Sequence, residues 1–142
     1  MVIKVAVRMP PSADDAGDYL ANVRALEAAG AEMLTFQGGG DEALVLLGAI
    51  AAVTDRIKLG VQTTPPAALE GIARGRVIIG TPAGERWIDM ELPSTRGAWV
   101  EAIKNQEADG TTGVIVSWDP RLIDLLRNPE PDDRSDLLMS TG

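Results

Sequence analysis

The sequence predicts an α/β domain with a parallel sheet, and three observations support that class. Apolar residues alternate along the chain between helical spacing and the spacing of two, or the unbroken run, that is typical of strands. The change is sharpest within residues 49–60, where a helix gives way to a strand across Thr54, Asp55 and Arg56. The segment between the first two predicted strands is also long and helical enough to be a parallel crossover.

The first half of the chain shows this alternation in order. Residues 2–9 form a nearly continuous apolar run, as expected of a strand covered on both faces. Ser12 and Asp15 resemble a capping box and Gly30 suits a left-handed C-cap, so a helix is predicted over 13–29. The elements that follow are a strand over 32–36, a helix beginning near Asp41 and a third strand over 57–62.

The second half departs from the simple repeat. Residues 67–73 allow only about two helical turns before a fourth strand at 76–81. Alternating residues at 86–92 follow a turn and predict a half-exposed strand that forms a hairpin with the fourth strand. The remaining elements are a helix over 95–108, a strand at 114–116, a helix that Asp119 and Pro120 begin, and a tail over 128–142 that docks on a surface.

Composition narrows the function. The chain has 142 residues, 45% of them apolar, which suits a single domain over 1–142. Its formal net charge of −8 disfavours nucleic acids and anionic membranes as partners. The absence of cysteine and histidine removes thiolate chemistry, zinc–sulfur sites and the commonest general base. The sequence shows no signal peptide and no apolar stretch of membrane-spanning length, so a soluble cytoplasmic protein is expected.

Two loops at predicted strand ends are candidate ligand sites. Gln37 opens a glycine-rich loop before the second helix, where backbone N–H groups could meet an anion, although a flexible tight connection is the commoner role of such glycines. Thr63 and Thr64 end the third strand, where they could bond the edge of a ligand ring or only satisfy a turn. Both loops lie at carboxyl ends of strands, where α/β proteins usually bind ligands.

Other polar residues have simpler explanations. Trp118 could stack on a ligand at the end of the last strand, while Asp119 is already explained as a helix N-cap. Asp89 and Glu91 share one side of a strand and suggest a solvated face. The tail carboxylates Asp132, Asp133 and Asp136 could hold a metal, but surface ion pairs are the commoner role of such a cluster, and no metal site is predicted.

Several segments resemble the luciferase-like monooxygenase family. The resemblance lies in residues 27–31, in residues 51–60, in residues 69–76 before an apolar strand, and more loosely in residues 110–119. It covers roughly residues 1–81 best. The family resemblance implies a (β/α)₈ barrel and a flavin or deazaflavin cofactor used for monooxygenation or hydride transfer.

The chain is short for that family. A full barrel needs about 250 residues, so a truncated TIM-barrel-like domain is expected, with one added edge or hairpin strand. The resemblance implies that the missing βα units lie between the fourth strand and the last, and that they would have built most of the phosphate site. Gln37 stands where the family commonly has histidine. The expected cofactor-binding residues for FMN or deazaflavin are Gln37, Thr63, Thr64 and Trp118, with no catalytic residue assigned.

The sequence leaves two functions open. One is a shortened flavin- or deazaflavin-dependent oxidoreductase or monooxygenase that binds its cofactor and a small molecule with weak or no catalysis. The other is a non-catalytic binding or interaction module derived from the same fold. A homodimer or a larger closed oligomer is expected, because an incomplete barrel exposes sheet edges and an apolar face. The residues expected to cover them are Trp87, Ile88, Met90 and Leu92 with Leu137, Leu138 and Met139.

Overall fold

Strands and helices alternate along the chain in the computed structural model, which describes residues 3–36 and 40–128. The strands are β1 (Lys4–Arg8), β2 (Met33–Thr35), β3 (Lys58–Val61), β4 (Val77–Ile79), β5 (Trp87–Asp89) and β6 (Gly113–Ser117). The helices are α1 (Ala16–Ala29), α2 (Gly40–Val53), α3 (Ala67–Ala73), α4 (Arg96–Ala108) and α5 (Arg121–Arg127). The alternation fails once, between β4 and β5, which residues 80–86 join without a helix.

All six strands are parallel and form one sheet in the order β4-β3-β2-β1-β6-β5. Strands β1 to β4 lie side by side in chain order, as predicted. The chain then passes from β4 at one edge to β5 at the other, and β6 lies between β5 and β1. The predicted parallel α/β class is confirmed, and the described strands show no pairing between β4 and β5 that would close a barrel.

The predicted hairpin between the fourth strand and residues 86–92 is wrong. Strand β5 is an edge strand, but it pairs in parallel with β6, placing Trp87 beside Gly113. The backbone carbonyl of Arg86 accepts hydrogen bonds from the N–H groups of Thr112 at 2.8 Å and Gly113 at 3.2 Å. These bonds fix β5 on the outer side of β6, at the edge far from β4.

Helix α1 begins at Ala16, later than predicted, because Asp15 is its N-cap. The Asp15 carboxylate accepts a hydrogen bond from the N–H of Asp18 at 3.0 Å, so the predicted capping box at Ser12 is wrong. Gly30 ends the helix as predicted: its φ is 107°, which favours glycine. None of the described helices is long and apolar enough to cross a membrane.

One face of the sheet carries the apolar core. Val7, Leu34 and Leu59, from three neighbouring strands, are fully buried. They belong to one apolar cluster with Leu26 of α1 and Ile50 of α2. The same cluster includes Trp99 of α4, Val114 and Val116 of β6, and Leu122 of α5. The helices therefore pack on this face, which removes its apolar side chains from water.

A carboxylate ties α1 to the turn between α2 and β3. Glu27 accepts hydrogen bonds from the backbone N–H groups of Asp55 at 2.9 Å, Arg56 at 2.7 Å and Ile57 at 2.9 Å. Burial is the largest single influence and raises the pKa of Glu27, but the three hydrogen bonds and the charge of Arg56 together outweigh it. The pKa therefore lies below its ordinary value, and the ionised side chain anchors the turn.

A guanidinium ties the start of β4 to the same turn. Arg76 donates four hydrogen bonds to oxygen atoms at the ends of α2 and α3 and in the turn. The acceptors are the carbonyls of Ala73 (2.8 Å), Ala51 (2.8 Å) and Ile57 (3.1 Å) and the hydroxyl of Thr54 (2.8 Å). Thr54 is only 1% exposed and donates its own hydroxyl hydrogen to the carbonyl of Ile50 at 2.7 Å. Arg76 thus satisfies four acceptors that belong to buried residues.

The opposite face of the sheet is partly filled by a tryptophan. The ring of Trp87 lies directly over Gly113, where an added Cβ would be 2.4 Å from ring atom Cζ3. Arg8, on the same face of β1, forms an ion pair with Asp89 of β5. The cavity left beside these groups measures about 110 Å³ and is lined in part by Arg8, Gly60 and Trp87.

We expect Gly113→Ala to destabilise the protein by about 2 kcal/mol, because the new methyl group forces the Trp87 ring to move within a packed face. Urea unfolding followed by circular dichroism measures this. Gly71→Ala is the matched control, since a Cβ at Gly71 in α3 meets no atom within 4 Å. The double variant with Trp87→Leu should recover part of the loss, and an unchanged midpoint for Gly113→Ala alone would contradict the close contact.

Within 87–92, the residues expected to cover an exposed dimer surface are partly buried against the chain itself. Trp87 packs against Gly113, and Ile88, Met90 and Leu92 contact the core cluster. The tail residues Leu137, Leu138 and Met139 lie outside the described part of the chain, as does most of the tail predicted to dock. The part expected of these residues in a dimer stays a prediction.

Candidate functional site

The carboxyl ends of the strands carry two separate cavities. The first lies where β2 and β3 meet the beginnings of α2 and α3, and it measures about 350 Å³. The second lies at the ends of β1, β5 and β6 and measures about 370 Å³. Both fall in the range of small-molecule sites, roughly 300–1,000 Å³. They share no lining residue.

The first cavity has apolar walls and a polar rim. Phe36, Leu47 and Pro65 are buried and form part of its wall. Thr63 and Thr64 are exposed at its rim, and neither side chain hydrogen-bonds another described residue. Gln62 is also exposed at the rim, and its side chain forms no hydrogen bond with another described residue. An apolar wall with a few free polar groups is the usual composition of a site for a small, partly aromatic ligand.

The local sequence explains why this rim is open. Strand β3 ends at Val61, and the prolines at 65 and 66 cannot continue a ladder because they lack N–H groups. Pro66 then leads into α3 without any side-chain cap. The three residues between strand and prolines are left with their side chains unpaired by described neighbours. They remain available to a ligand.

The second cavity is rich in charges that are already paired. Arg8 and Asp89 form an ion pair across it, and Asp119 pairs with Arg121 at 3.1 Å. The Arg121 side chain and its backbone N–H, which donates at 2.8 Å, hold the pKa of the Asp119 carboxyl below its usual range. Asp119 is therefore ionised at neutral pH and is no proton donor there. Trp118, half-buried, lies beside these groups.

Asp119 also confirms its predicted structural role. Its carboxylate accepts a hydrogen bond from the N–H of Arg121, and Pro120 already has helical angles, φ −55° and ψ −26°. This is the geometry of an aspartate N-cap followed by a proline in the first turn. The residue is therefore occupied in beginning α5.

The predicted cofactor-binding residues do not meet in one cavity. Thr63 and Thr64 line the first and Trp118 lines the second, while Gln37 lies outside the described residues. Asp89 is exposed, as expected of a solvated strand face, and it also forms an ion pair with Arg8. Sequence reasoning missed Arg8, although its place at the end of β1, two residues after Ala6 on the same face, was a usable signal.

Acid, base and metal groups are sparse in the described part of the chain. Glu85 accepts a hydrogen bond from the indole N–H of Trp87 at 2.9 Å, which gives that carboxylate a structural role. The described residues hold no group of three or more acidic, histidine or cysteine side chains that could bind a metal ion. The tail aspartates Asp132, Asp133 and Asp136 are outside this part.

Comparison of the chain with protein-family models, with curated proteins and with solved structures gave no match. The resemblance to the luciferase-like family stays a prediction from the quoted segments.

Proposed function

We propose that the chain is a shortened luciferase-like protein that binds the planar ring of FMN or deazaflavin weakly, with little or no catalysis. The observation that carries the proposal is the first cavity, where apolar walls meet the free hydroxyl groups of Thr63 and Thr64. The ring would lie against the apolar wall and its polar edge would meet these hydroxyl groups. Gln37 is a further candidate contact because it precedes α2 in the chain.

The order of the strands supports a barrel ancestry. Read from β5 through β6, β1, β2 and β3 to β4, neighbours in the sheet are neighbours in a cyclic chain order. A (β/α)₈ barrel has this cyclic order with eight strands. The single break falls between β4 and β5, where residues 80–86 replace a helical crossover. A barrel that had lost two βα units at that point would have this topology.

The same loss argues for weak affinity. Trp87 occupies the inner face, and the space beside it, about 110 Å³, is too small for a flavin ring system. The lost units would have carried most of the phosphate contacts. Each charge-assisted hydrogen bond contributes roughly 1.5–3 kcal/mol, so the loss of two lowers affinity by about two to four orders of magnitude.

The chemical repertoire argues for little catalysis. The chain contains no histidine and no cysteine, so the commonest general base and the thiolate nucleophile are both excluded. The pKa of Asp119 in the second cavity is lowered, and its carboxylate forms an ion pair with Arg121. Neither cavity thus contains a group tuned for proton transfer near neutral pH.

Titration of the protein with FMN and with deazaflavin, followed by fluorescence, tests the proposal. We expect binding in the micromolar range or weaker that falls at least about fivefold in the double variant Thr63→Ala and Thr64→Ala, because two ring-edge hydrogen bonds are lost. Ser117→Ala is the matched control, since Ser117 lines the second cavity. Loss of binding in the control alone would move the site to the cavity beside Trp118, and no binding by wild type would reject the proposal.

The alternative is a non-catalytic interaction module, and one observation favours it independently. Helix α2 presents large apolar side chains to solvent, with Val45 73% exposed. Such a surface is typical of a protein contact. This alternative predicts that neither flavin binds and that the protein associates through α2.

A further inference from the structure

The guanidinium of Arg8 carries an unsatisfied donor on the face of the sheet opposite the apolar core. The Arg8 side chain is only 25% exposed, and its Nη2 forms the ion pair with Asp89. The neighbouring donor, the N–H at Nε, is buried and has no hydrogen-bond partner among the described residues. A buried donor of a charged group is costly to leave unpaired. Arg8 therefore has a place for an acceptor oxygen that the described residues do not supply.

The cavity beside Arg8 on this face, which we call the inner cavity, brings further polar side chains together. It measures about 110 Å³, and Thr35, Gln62 and Thr81 line it with Arg8. None of these three side chains forms a hydrogen bond with another described residue. Thr35 lies directly beside Arg8 on the neighbouring strand β2, so the two side chains share a face. Several polar groups thus meet in one small space next to a positive charge.

The charge of the inner cavity favours an anion. Arg8 is the one charged residue among the described residues that line it. Its counter-ion, Asp89, is on the edge strand β5, and the Asp89 side chain is 70% exposed. Ion pairs of such exposed carboxylates contribute little, because water solvates the carboxylate almost as well. An anion in the cavity can therefore replace Asp89 on the guanidinium.

The size and the walls of the inner cavity limit the kind of anion. At about 30 Å³ for each water-sized group, a volume of about 110 Å³ holds roughly three or four such groups. Met33, Trp87 and Ile115 give the same cavity apolar walls. A phosphate would place unpaired oxygen atoms against these walls, which is unfavourable. A short carboxylate has its oxygen atoms at one end and an alkyl group at the other, so it fits both parts of the lining.

We propose that the inner cavity binds a short-chain monocarboxylate such as acetate or propionate. The ligand carboxylate accepts the Nε–H of Arg8 together with a second donor of the guanidinium, in the bidentate geometry that arginine favours. Thr35 donates its hydroxyl hydrogen to the same carboxylate, and the alkyl group lies against Trp87. Asp89 turns outward into solvent as the ligand binds and returns when it leaves. The inference does not depend on flavin binding.

Nuclear magnetic resonance of the isotope-labelled full chain tests the site, because the Nε–H of Arg8 gives its own signal. We expect acetate, exchanged for chloride at constant ionic strength, to shift this signal with a dissociation constant of about a millimolar, which a ligand of about four heavy atoms can reach. Arg8→Gln identifies the signal and should abolish binding. Arg8→Lys keeps the charge without the planar pair of donors, and should weaken binding at least about tenfold, followed by the Trp87 indole signal.

Replacing the counter-ion gives the sharpest result. Asp89→Asn should lower the dissociation constant for acetate at least about fivefold, because the competing carboxylate is removed. Glu91→Gln is the matched control, since it removes the same charge from a residue that lines the second cavity and not the inner one, and it should leave the constant within about twofold. Thr35→Val should raise the constant about fivefold through the loss of one hydrogen bond.

Three outcomes would overturn the inference. The first is an Arg8 Nε–H signal that acetate shifts neither in wild type nor in Asp89→Asn. The second is an Asp89→Asn variant that binds acetate no more tightly than Glu91→Gln, because Asp89 then does not compete for the guanidinium. The third is phosphate binding as tight as that of acetate, which would exclude selection by the apolar walls.

Discussion

Replacing Glu27 by alanine is expected to lower the free energy of unfolding by about 3 kcal/mol at neutral pH. The substitution leaves the N–H groups of Asp55, Arg56 and Ile57 without the acceptor that they now share. The N–H of Ile57 is partly buried, so water replaces the carboxylate there poorly. The turn that joins α2 to β3 would then lose its connection to α1.

The same carboxylate makes stability depend on pH in a defined direction. Because the pKa of Glu27 is lower in the folded state than in the unfolded chain, its contribution is present above an unfolded pKa of about 4.3. The contribution is lost as the pH falls through the lowered folded pKa. We therefore expect part of the acid sensitivity of wild type below about pH 4.5 to disappear in Glu27→Gln.

Urea unfolding at a series of pH values measures both effects. Glu101→Ala is the control, because Glu101 is an exposed helical glutamate that makes no side-chain hydrogen bond with a described residue. That variant should unfold within about 0.5 kcal/mol of wild type. If Glu27→Ala is no less stable than Glu101→Ala, the three hydrogen bonds that Glu27 accepts do not stabilise the turn between α2 and β3.

The segments that carry the family resemblance turn out to be structural in this chain. Glu27, Thr54 and Arg76 come from the three most similar segments, and all three meet at the turn between α2 and β3. Sequence reasoning placed that turn correctly because the change of apolar period is a local signal. It could not show that residues far apart in the chain meet at this turn, because such contacts produce no repeating pattern in the sequence.

The same difference explains the error over β5. The turn residues at 82–84 and the alternation after them are local features, and they resemble a hairpin. The choice of partner strand is not local. The carbonyl of Arg86 accepts hydrogen bonds from the N–H of Gly113 in β6 and from the N–H of Thr112 just before it. Strand β5 therefore pairs with β6 rather than with β4, although only residues 80–86 separate it from β4 in the chain.

The candidate site was predictable only in part. Thr63 and Thr64 could be placed at a ligand-binding edge because the ends of parallel strands share one edge. The sequence could not show that Trp118 lines a different cavity, since that depends on the four strands β3, β2, β1 and β6 lying in that order. The separation along the sheet is three strand spacings, about 14 Å.

Arg76→Met is expected to lower the free energy of unfolding by about 4 kcal/mol, more than Glu27→Ala. Methionine matches the length of the stem but removes four hydrogen bonds at once. The carbonyls of Ala51 and Ile57 and the hydroxyl of buried Thr54 would lose a charged donor. Arg76→Lys should cost about 2 kcal/mol, because one ammonium group cannot reach acceptors spread around a planar guanidinium.

A double-mutant cycle separates the network from the loss of charge alone. Thr54→Val removes one acceptor of the Arg76 guanidinium, so its cost should be smaller in the Arg76→Met background, with a coupling of about 1 kcal/mol. Arg24→Met, at an exposed position of α1, is the control for removing a positive charge and should cost under about 0.5 kcal/mol. Urea unfolding at pH 7 supplies all five free energies. If Arg76→Met and Arg24→Met lower the free energy of unfolding equally, the Arg76 guanidinium does not hold α2, α3 and β4 together. If Arg76→Met costs much more, as expected, the hydrogen bonds of that side chain stabilise the contact between these three elements.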